Sequence, residues 1–368
     1  MSGDPMSGDA MSGDAAPAVV DQGVIDDLRA RLRAYRPVAL PGGRGWQRGV
    51  DPDYLTDLVA YWAESYDWRV HENRIRRLPW VSTPARSIHQ RSARAGAEAV
   101  LLLHGWPDSV LRFERVLPLL TDHHVVVPCL PGFPFAALGP GMSADDMAGS
   151  VAEIMAALGY DRYVVSAGDV GCDVAEALAA RHPERVAALH LTDVSQLHFL
   201  AGLPGDLSAA ERAYVQHGRD WQAREGGYMH EQSTKPHTLA AALGDSPAGL
   251  AAWLVEKLRG WTDCDGDVET VFTRDELLTW VTAYWVTGAI GTSFTPYAAG
   301  GPKPAGVTPP AVFTIYPHDL VNAPREFAER FFDVRVWREE PHGGHFAAWE
   351  QPARYAAGVH DAVRLARR

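Results

Sequence analysis

The chain has 368 residues, 46% of them hydrophobic, and a formal net charge of -12. That length accommodates one large α/β domain with additions, or two domains, and the apolar content supports a sizeable core. The acidic balance argues against nucleic acid and anionic membrane surfaces as principal partners.

The three cysteines, Cys129, Cys172 and Cys264, are odd in number and widely spaced. This speaks against a disulfide framework or a zinc site and fits a reducing, cytoplasmic setting. No apolar run approaches the roughly 20 residues of a membrane helix, and the N-terminus lacks the apolar stretch of a signal peptide. Basic residues are nearly all Arg, with lysine only at Lys235, Lys257 and Lys303. We read that as a base-composition bias without functional meaning.

Residues 1–17 open with a threefold MSGD repeat that has nothing to bury, so a disordered tail is expected. An arm over 18–95 follows. Val24 to Tyr35 and Asp51 to Tyr66 each carry apolar residues at helical spacing (Ile25, Leu28 and Leu32; Leu55, Leu58, Val59 and Trp62). No strand–helix alternation is visible there, so the arm does not read as an α/β domain of its own.

Beyond Ala97 the rhythm changes. Apolar strand candidates at Ala97–Leu103, Val125–Val127, Tyr163–Val165 and Ala187–Leu191 alternate with helix-like segments. One of these starts at Ser143, a good N-cap, with Asp145 and Asp146 in its first turn. This predicts a mostly parallel sheet flanked by helices, with its first part over 96–195. The segment 196–305 is helical by period, including a capping box at Thr273–Glu276, and reads as a lid inserted over the sheet edge that holds sites in α/β proteins. Strands return at Ala311–Ile315 and Val334–Trp337, giving a second core part over 306–368.

The most telling stretch is Ala167-Gly168-Asp169-Val170-Gly171, between a strand candidate and the helix-like run Cys172 to His182. Small residues around a side chain at a sharp strand–helix turn describe a nucleophile elbow. A carboxylate there attacks carbon to form an alkyl-enzyme ester, whereas a serine would transfer acyl groups. Asp319, at the end of a strand candidate, and His345, after Gly343 and Gly344, complete the order nucleophile, acid, histidine. Asp193 also follows a strand candidate and is the alternative acid. His104-Gly105-Trp106-Pro107 follows another strand, and its turn can aim the Trp106 N–H at the elbow. With the N–H of Val170 it would form an oxyanion hole.

Together these segments resemble the microsomal-type epoxide hydrolases of the α/β-hydrolase superfamily. The resemblance covers nearly everything after the tail. It is carried by Tyr66-Asp67-Trp68-Arg69 in the arm, Gly227-Tyr228-Met229-His230 and Tyr284-Trp285-Val286-Thr287-Gly288 in the lid, and Pro317-His318-Asp319-Leu320 and Gly343-Gly344-His345-Phe346 near the end. It implies an α/β-hydrolase fold with an N-terminal arm and a helical lid. The reaction implied is epoxide opening to a vicinal diol, with epoxide and water as partners and no cofactor or metal. It also implies that Tyr228 and Tyr297 hydrogen-bond the epoxide oxygen, a role that suits phenols.

Phe133, Trp285 and Phe346 are the expected pocket aromatics, pointing to a bulky or aromatic substrate, in specialised metabolism more than detoxification. One departure matters: family members usually carry Trp where Val170 stands, so the pocket beside the nucleophile is expected to differ. A haloalkane dehalogenase, or a non-hydrolytic binding or cyclising member of the fold, is the alternative. Oligomeric state stays open, a homodimer among the options.

Overall fold

The computed structural model describes residues 15–39, 45–137, 139–200, 202–301 and 303–367; most of the MSGD tail lies outside them. Eight strands form one sheet: β1 (Trp80–Ser82), β2 (Arg86–Gln90), β3 (Ala99–Leu103), β4 (His124–Pro128), β5 (Tyr163–Ala167), β6 (Val186–Leu191), β7 (Val307–Ile315) and β8 (Phe332–Glu339). Their spatial order is β1-β2-β4-β3-β5-β6-β7-β8. From β4 to β8 every neighbouring pair is parallel, while β1 and β2 are antiparallel additions at one edge. β3, β5 and β6 are buried along their whole length, which is why they read as continuous apolar runs.

The arm holds α1 (Gln22–Arg33), α2 (Pro52–Glu64) and α3 (Trp68–Arg76), and it also contributes β1 and β2 to the sheet. Apolar spacing marks only helices in the arm; the structure adds these two strands to that reading. β2 reads Arg-Ser-Ile-His-Gln, with only Ser87 and Ile88 buried, so its apolar signal is too short to see. It is fixed by the ladder to β4, where Ile88 pairs with Val127.

α4 (Ala144–Ala157) starts where Ser143 caps the Asp146 N–H, and α5 (Val170–Arg181) follows β5. The lid, inserted between β6 and β7, comprises α6 (Leu197–Leu200), α7 (Ala209–Glu225), α8 (Gly227–Thr234), α9 (Pro236–Asp245), α10 (Pro247–Gly260), α11 (Arg274–Thr287) and α12 (Thr295–Ala299). Thr273 and Glu276 close a reciprocal capping box at the start of α11. α13 (Arg325–Ala328), α14 (Ala347–Glu350) and α15 (Pro352–Ala366) complete the chain. No single helix among the described residues is long and apolar enough to cross a membrane.

Register positions the chemistry. Leu103 of β3 and Leu191 of β6 both pair with Ala167 of β5, so the loops that begin at His104, Gly168 and Thr192 leave the sheet side by side. The loop after β7 joins them on the same carboxyl edge.

Candidate active site

The turn after β5 holds Asp169 at φ 57° and ψ -134°, a left-handed conformation that non-glycine residues rarely adopt. Its small neighbours have steric reasons. A Cβ on Gly168 would lie 2.6 Å from Thr192 Oγ1, and one on Gly171 would lie 2.5 Å from the Leu103 carbonyl oxygen. The turn can therefore pass close under β3 and β6 and push the Asp169 side chain outward.

The two oxygens of Asp169 have different partners. Oδ1 accepts the Trp106 N–H at 2.7 Å, and Oδ2 lies 3.4 Å from His345 Nε2. Val170 sends its side chain to the cavity wall; among the described residues only Trp106 donates to Asp169 Oδ1. Gly105 must be small as well, because a Cβ there would lie 2.6 Å from the Asp169 Cβ. Beneath this loop, Asp108 Oδ1 accepts the Gly105 N–H at 2.8 Å, and Asp108 Oδ2 pairs with the fully buried Arg112 at 2.6 Å. Arg112 Nη2 also donates to the His345 carbonyl at 2.6 Å. One buried ion pair thus links the loop that touches Asp169 to the loop that carries the histidine.

His345 Nδ1 lies 2.7 Å from Asp319 Oδ1, which also accepts the Leu320 N–H. Of the two candidate acids, the geometry brings Asp319 to the histidine. Asp193 instead accepts the backbone N–H of Asp169 at 3.1 Å and faces Cys172 Sγ at 2.9 Å. Burial, with the nearby Asp319 carboxylate, pushes Asp193 up to about 7. For His345, burial alone would depress the imidazole. The Asp319 and Asp169 carboxylates outweigh that and raise it to about 10.

The histidine loop is held from the lid and from α14. The His345 N–H donates to the Trp261 carbonyl at 2.8 Å. Glu350 accepts the backbone N–H groups of Asp263, Gly344 and Phe346 at 2.8–2.9 Å. Gly343 sits at φ 112°, where only glycine is unstrained. Asp108, Arg112 and Glu350 were not singled out from sequence: Arg112 reaches the His345 carbonyl and Glu350 the Asp263 N–H from distant segments, while Asp108 bonds the Gly105 N–H of its own loop and takes its importance from the pairing with Arg112.

Across from Asp169, a cavity of about 250 Å³ is lined by Asp169, His345, Asp319, Tyr228 and Tyr297, with an aliphatic wall that includes Val170, Val194, Leu197 and Val321. Tyr228 and Tyr297 have ring centroids 6.0 Å apart. The Trp106 indole stacks on Tyr228 at 5.4 Å and meets Tyr297 edge-on at 6.1 Å. Burial first, and the Asp169 carboxylate second, hold both phenols well above their ordinary range, so each keeps its proton as a donor.

The three expected pocket aromatics lie elsewhere. Phe133 lines a separate cavity of about 320 Å³ against the arm, its ring 5.0 Å from His104. Trp285 is half-buried, 5.9 Å from the guanidinium of Arg31 on the arm. Phe346 is fully buried behind His345, packed against Trp280 and Phe272. Aromatic side chains fill core and cavity wall alike, and residue type alone did not separate the two.

The sheet order, the elbow and the Asp–His–Asp cluster on one carboxyl edge define an α/β-hydrolase, and residues 98–261 match the family model for the alpha/beta hydrolase fold. Residues 16–113 match the model described as epoxide hydrolase N terminus. A relative from Stigmatella aurantiaca is 36% identical over 371 residues, spanning 95% of this chain and 84% of its own. The juvenile hormone epoxide hydrolase of Bombyx mori is 30% identical, spanning 92% of this chain and 84% of its own. The solved structure of Aspergillus niger epoxide hydrolase superposes with a TM-score of 0.84 at 27% identity, over 96% of this chain and 97% of that one. The chain is an enzyme of the epoxide hydrolase family.

Proposed function

We propose that this enzyme opens an epoxide to a vicinal diol through an ester on Asp169. The observation that carries the reading is the placement of Asp169. The Trp106 N–H and His345 hold it on the core side, and Tyr228 and Tyr297 stand on the wall of the same cavity. Asp169 Oδ1 is anchored, so Oδ2 is the oxygen left to attack an epoxide carbon. The C–O bond that breaks leaves an alkoxide, which takes a proton from one of the tyrosines. Forming the ester removes the Asp169 charge, which had been one cause of the raised phenol and imidazole values. Both groups then release protons more readily, at the point in the cycle where the chemistry asks for it.

The second step uses the same change. With Asp169 esterified, His345 keeps Asp319 as its hydrogen-bonded anionic partner and gives up its proton, which passes to the tyrosinate left by protonation of the alkoxide and restores the phenol. The neutral imidazole takes a proton from water, and the hydroxide attacks the Asp169 carbonyl carbon. Charge develops on Oδ1, where the Trp106 N–H already points. Collapse releases the diol and restores the carboxylate and the imidazolium. The aliphatic wall, with the four carboxylates of Asp169, Asp173, Asp193 and Asp319 on the lining, favours an apolar, uncharged epoxide.

A single turnover in heavy-oxygen water tests the ester. The label should enter the Asp169 carboxylate and be absent from the first diol. Label in the first diol, with none on Asp169, overturns the route.

A further inference from the structure

Two of the three lysines in this arginine-rich chain have side chains that are largely buried, and one of them lies against a lid tyrosine. Lys303, just after α12, pairs with Asp173 at 2.7 Å and with Glu176, both on the helix that begins at the nucleophile. Lys257, on α10, is 7% exposed, and its Nζ lies 5.2 Å from the ring centroid of Tyr228. The same ammonium is 6.0 Å from the Trp253 ring and 5.9 Å from the Trp261 ring, and among the described residues its carboxylate contact is Glu256 at 2.6 Å. A compact cation in an aromatic surround is stabilised by the ring faces, and it in turn draws electron density from them.

We propose that Lys257 is a positioning residue for Tyr228: held against the ring, its ammonium fixes the phenol on the cavity wall and strengthens its hydroxyl as the proton donor to the opening epoxide. The inference rests on the functional reading above. The groups facing the Tyr228 hydroxyl otherwise oppose ionisation. Burial and the carboxylates of Asp169 and Asp319 hold the proton on, with Tyr297 acting the other way. Lys257 is the cation that meets the ring itself, so it works only on the step in which Tyr228 gives its proton. Ester hydrolysis, run by His345, does not pass through it.

The test separates the two steps by single-turnover kinetics with styrene oxide as probe. Lys257→Met should slow formation of the alkyl-enzyme by about tenfold and leave its hydrolysis unchanged. Lys257→Arg, which keeps the charge, should recover most of the loss. In a Tyr228→Phe background, Lys257→Met should cost nothing further. Equal slowing of both steps, or the same loss with and without the Tyr228 hydroxyl, overturns the proposal. Should Lys257→Met fail to fold, Lys257→Gln against Lys257→Arg carries the same comparison. A wild-type enzyme that forms no alkyl-enzyme from any epoxide overturns the functional reading; one that does, with Lys257→Met unimpaired, overturns only the role of the lysine.

Discussion

The two walls of the active site are held in different ways. On the core side, Asp169, Asp319 and His345 are each set by backbone: a left-handed turn, a loop end pinned by the Leu320 N–H, and a glycine loop whose N–H groups run into Glu350 and the Trp261 carbonyl. On the lid side, Tyr228 and Tyr297 are set by side chains, Tyr228 stacked on Trp106 with Lys257 near its ring and Tyr297 meeting Trp106 edge-on. Hydrogen-bonded backbone has few alternative geometries, whereas ring packing tolerates small shifts. Trp106 joins the two, giving its N–H to Asp169 and its indole to the tyrosines. On the proposed route the core side holds the reacting atoms, and the lid side is the wall with more room for small shifts.

The sharpest test of the core side is Asp169, the proposed nucleophile. Asp169→Asn keeps an oxygen for the Trp106 N–H and leaves the fold intact, and kcat should fall by roughly 10⁴-fold or more. Unchanged circular dichroism with activity above about 1% of wild type would remove Asp169 from the mechanism.

Support beneath the core wall should break next. Arg112→Met strands the buried Asp108 carboxylate and drops the hydrogen bond to the His345 carbonyl. Breaking a buried ion pair costs about 3–5 kcal/mol, which urea unfolding would read as a lower midpoint. A midpoint within error of wild type would mean that the pair is dispensable and that the core wall is held by its backbone bonds alone.

The lid wall should yield less to single changes. Tyr228→Phe and Tyr297→Phe keep the rings and remove one donor each, and each should lower kcat by about 10- to 100-fold with KM little changed. The double variant should lose more than either alone. If both single variants keep full activity while the double fails, the tyrosines substitute for each other; if the double also keeps full activity, the donors lie elsewhere.

The same contrast explains what could be read from the sequence. β3 to β6 and the second half of β7 announce themselves because buried parallel strands are continuous apolar runs, while β8, at the sheet edge, shows only Phe332 and Val334 buried in an alternating pattern. β1 and β2 do not, since their place is decided by pairing, β2 with β4 and β1 with β2. Asp169, Asp319 and His345 stand in local patterns imposed by backbone: small residues at a turn, strand ends, a glycine pair. The lid tyrosines have no such pattern and were visible only through resemblance to a family. Phe133, Trp285 and Phe346 show the opposite failure, because a large aromatic residue signals burial without saying which surface it faces. The rarity of lysine looked like composition, yet Lys257 and Lys303 lie where a compact cation meets buried rings and carboxylates.

The smallest effect is also the one that most directly couples the chemistry to the core wall. His345 is raised from its ordinary value of 6.5 to about 10, against burial, by Asp319 and Asp169. A group whose folded value is raised stabilises the fold fully below its unfolded value and loses that contribution as pH rises through the folded one. Between about pH 6.5 and 10 the wild type should therefore lose stability through this group, and Asp169→Asn, with one carboxylate fewer, should lose it over a narrower range that ends at lower pH. Imidazole resonances followed by NMR should show His345 protonated well into the alkaline range in wild type and titrating at lower pH in Asp169→Asn. The variant also mimics the uncharged ester, so the size of that displacement measures how far esterification alone frees the histidine to act as a base. A His345 that titrates identically in both proteins would separate the imidazole from the nucleophile's charge and leave Asp319 as the sole cause of its elevation.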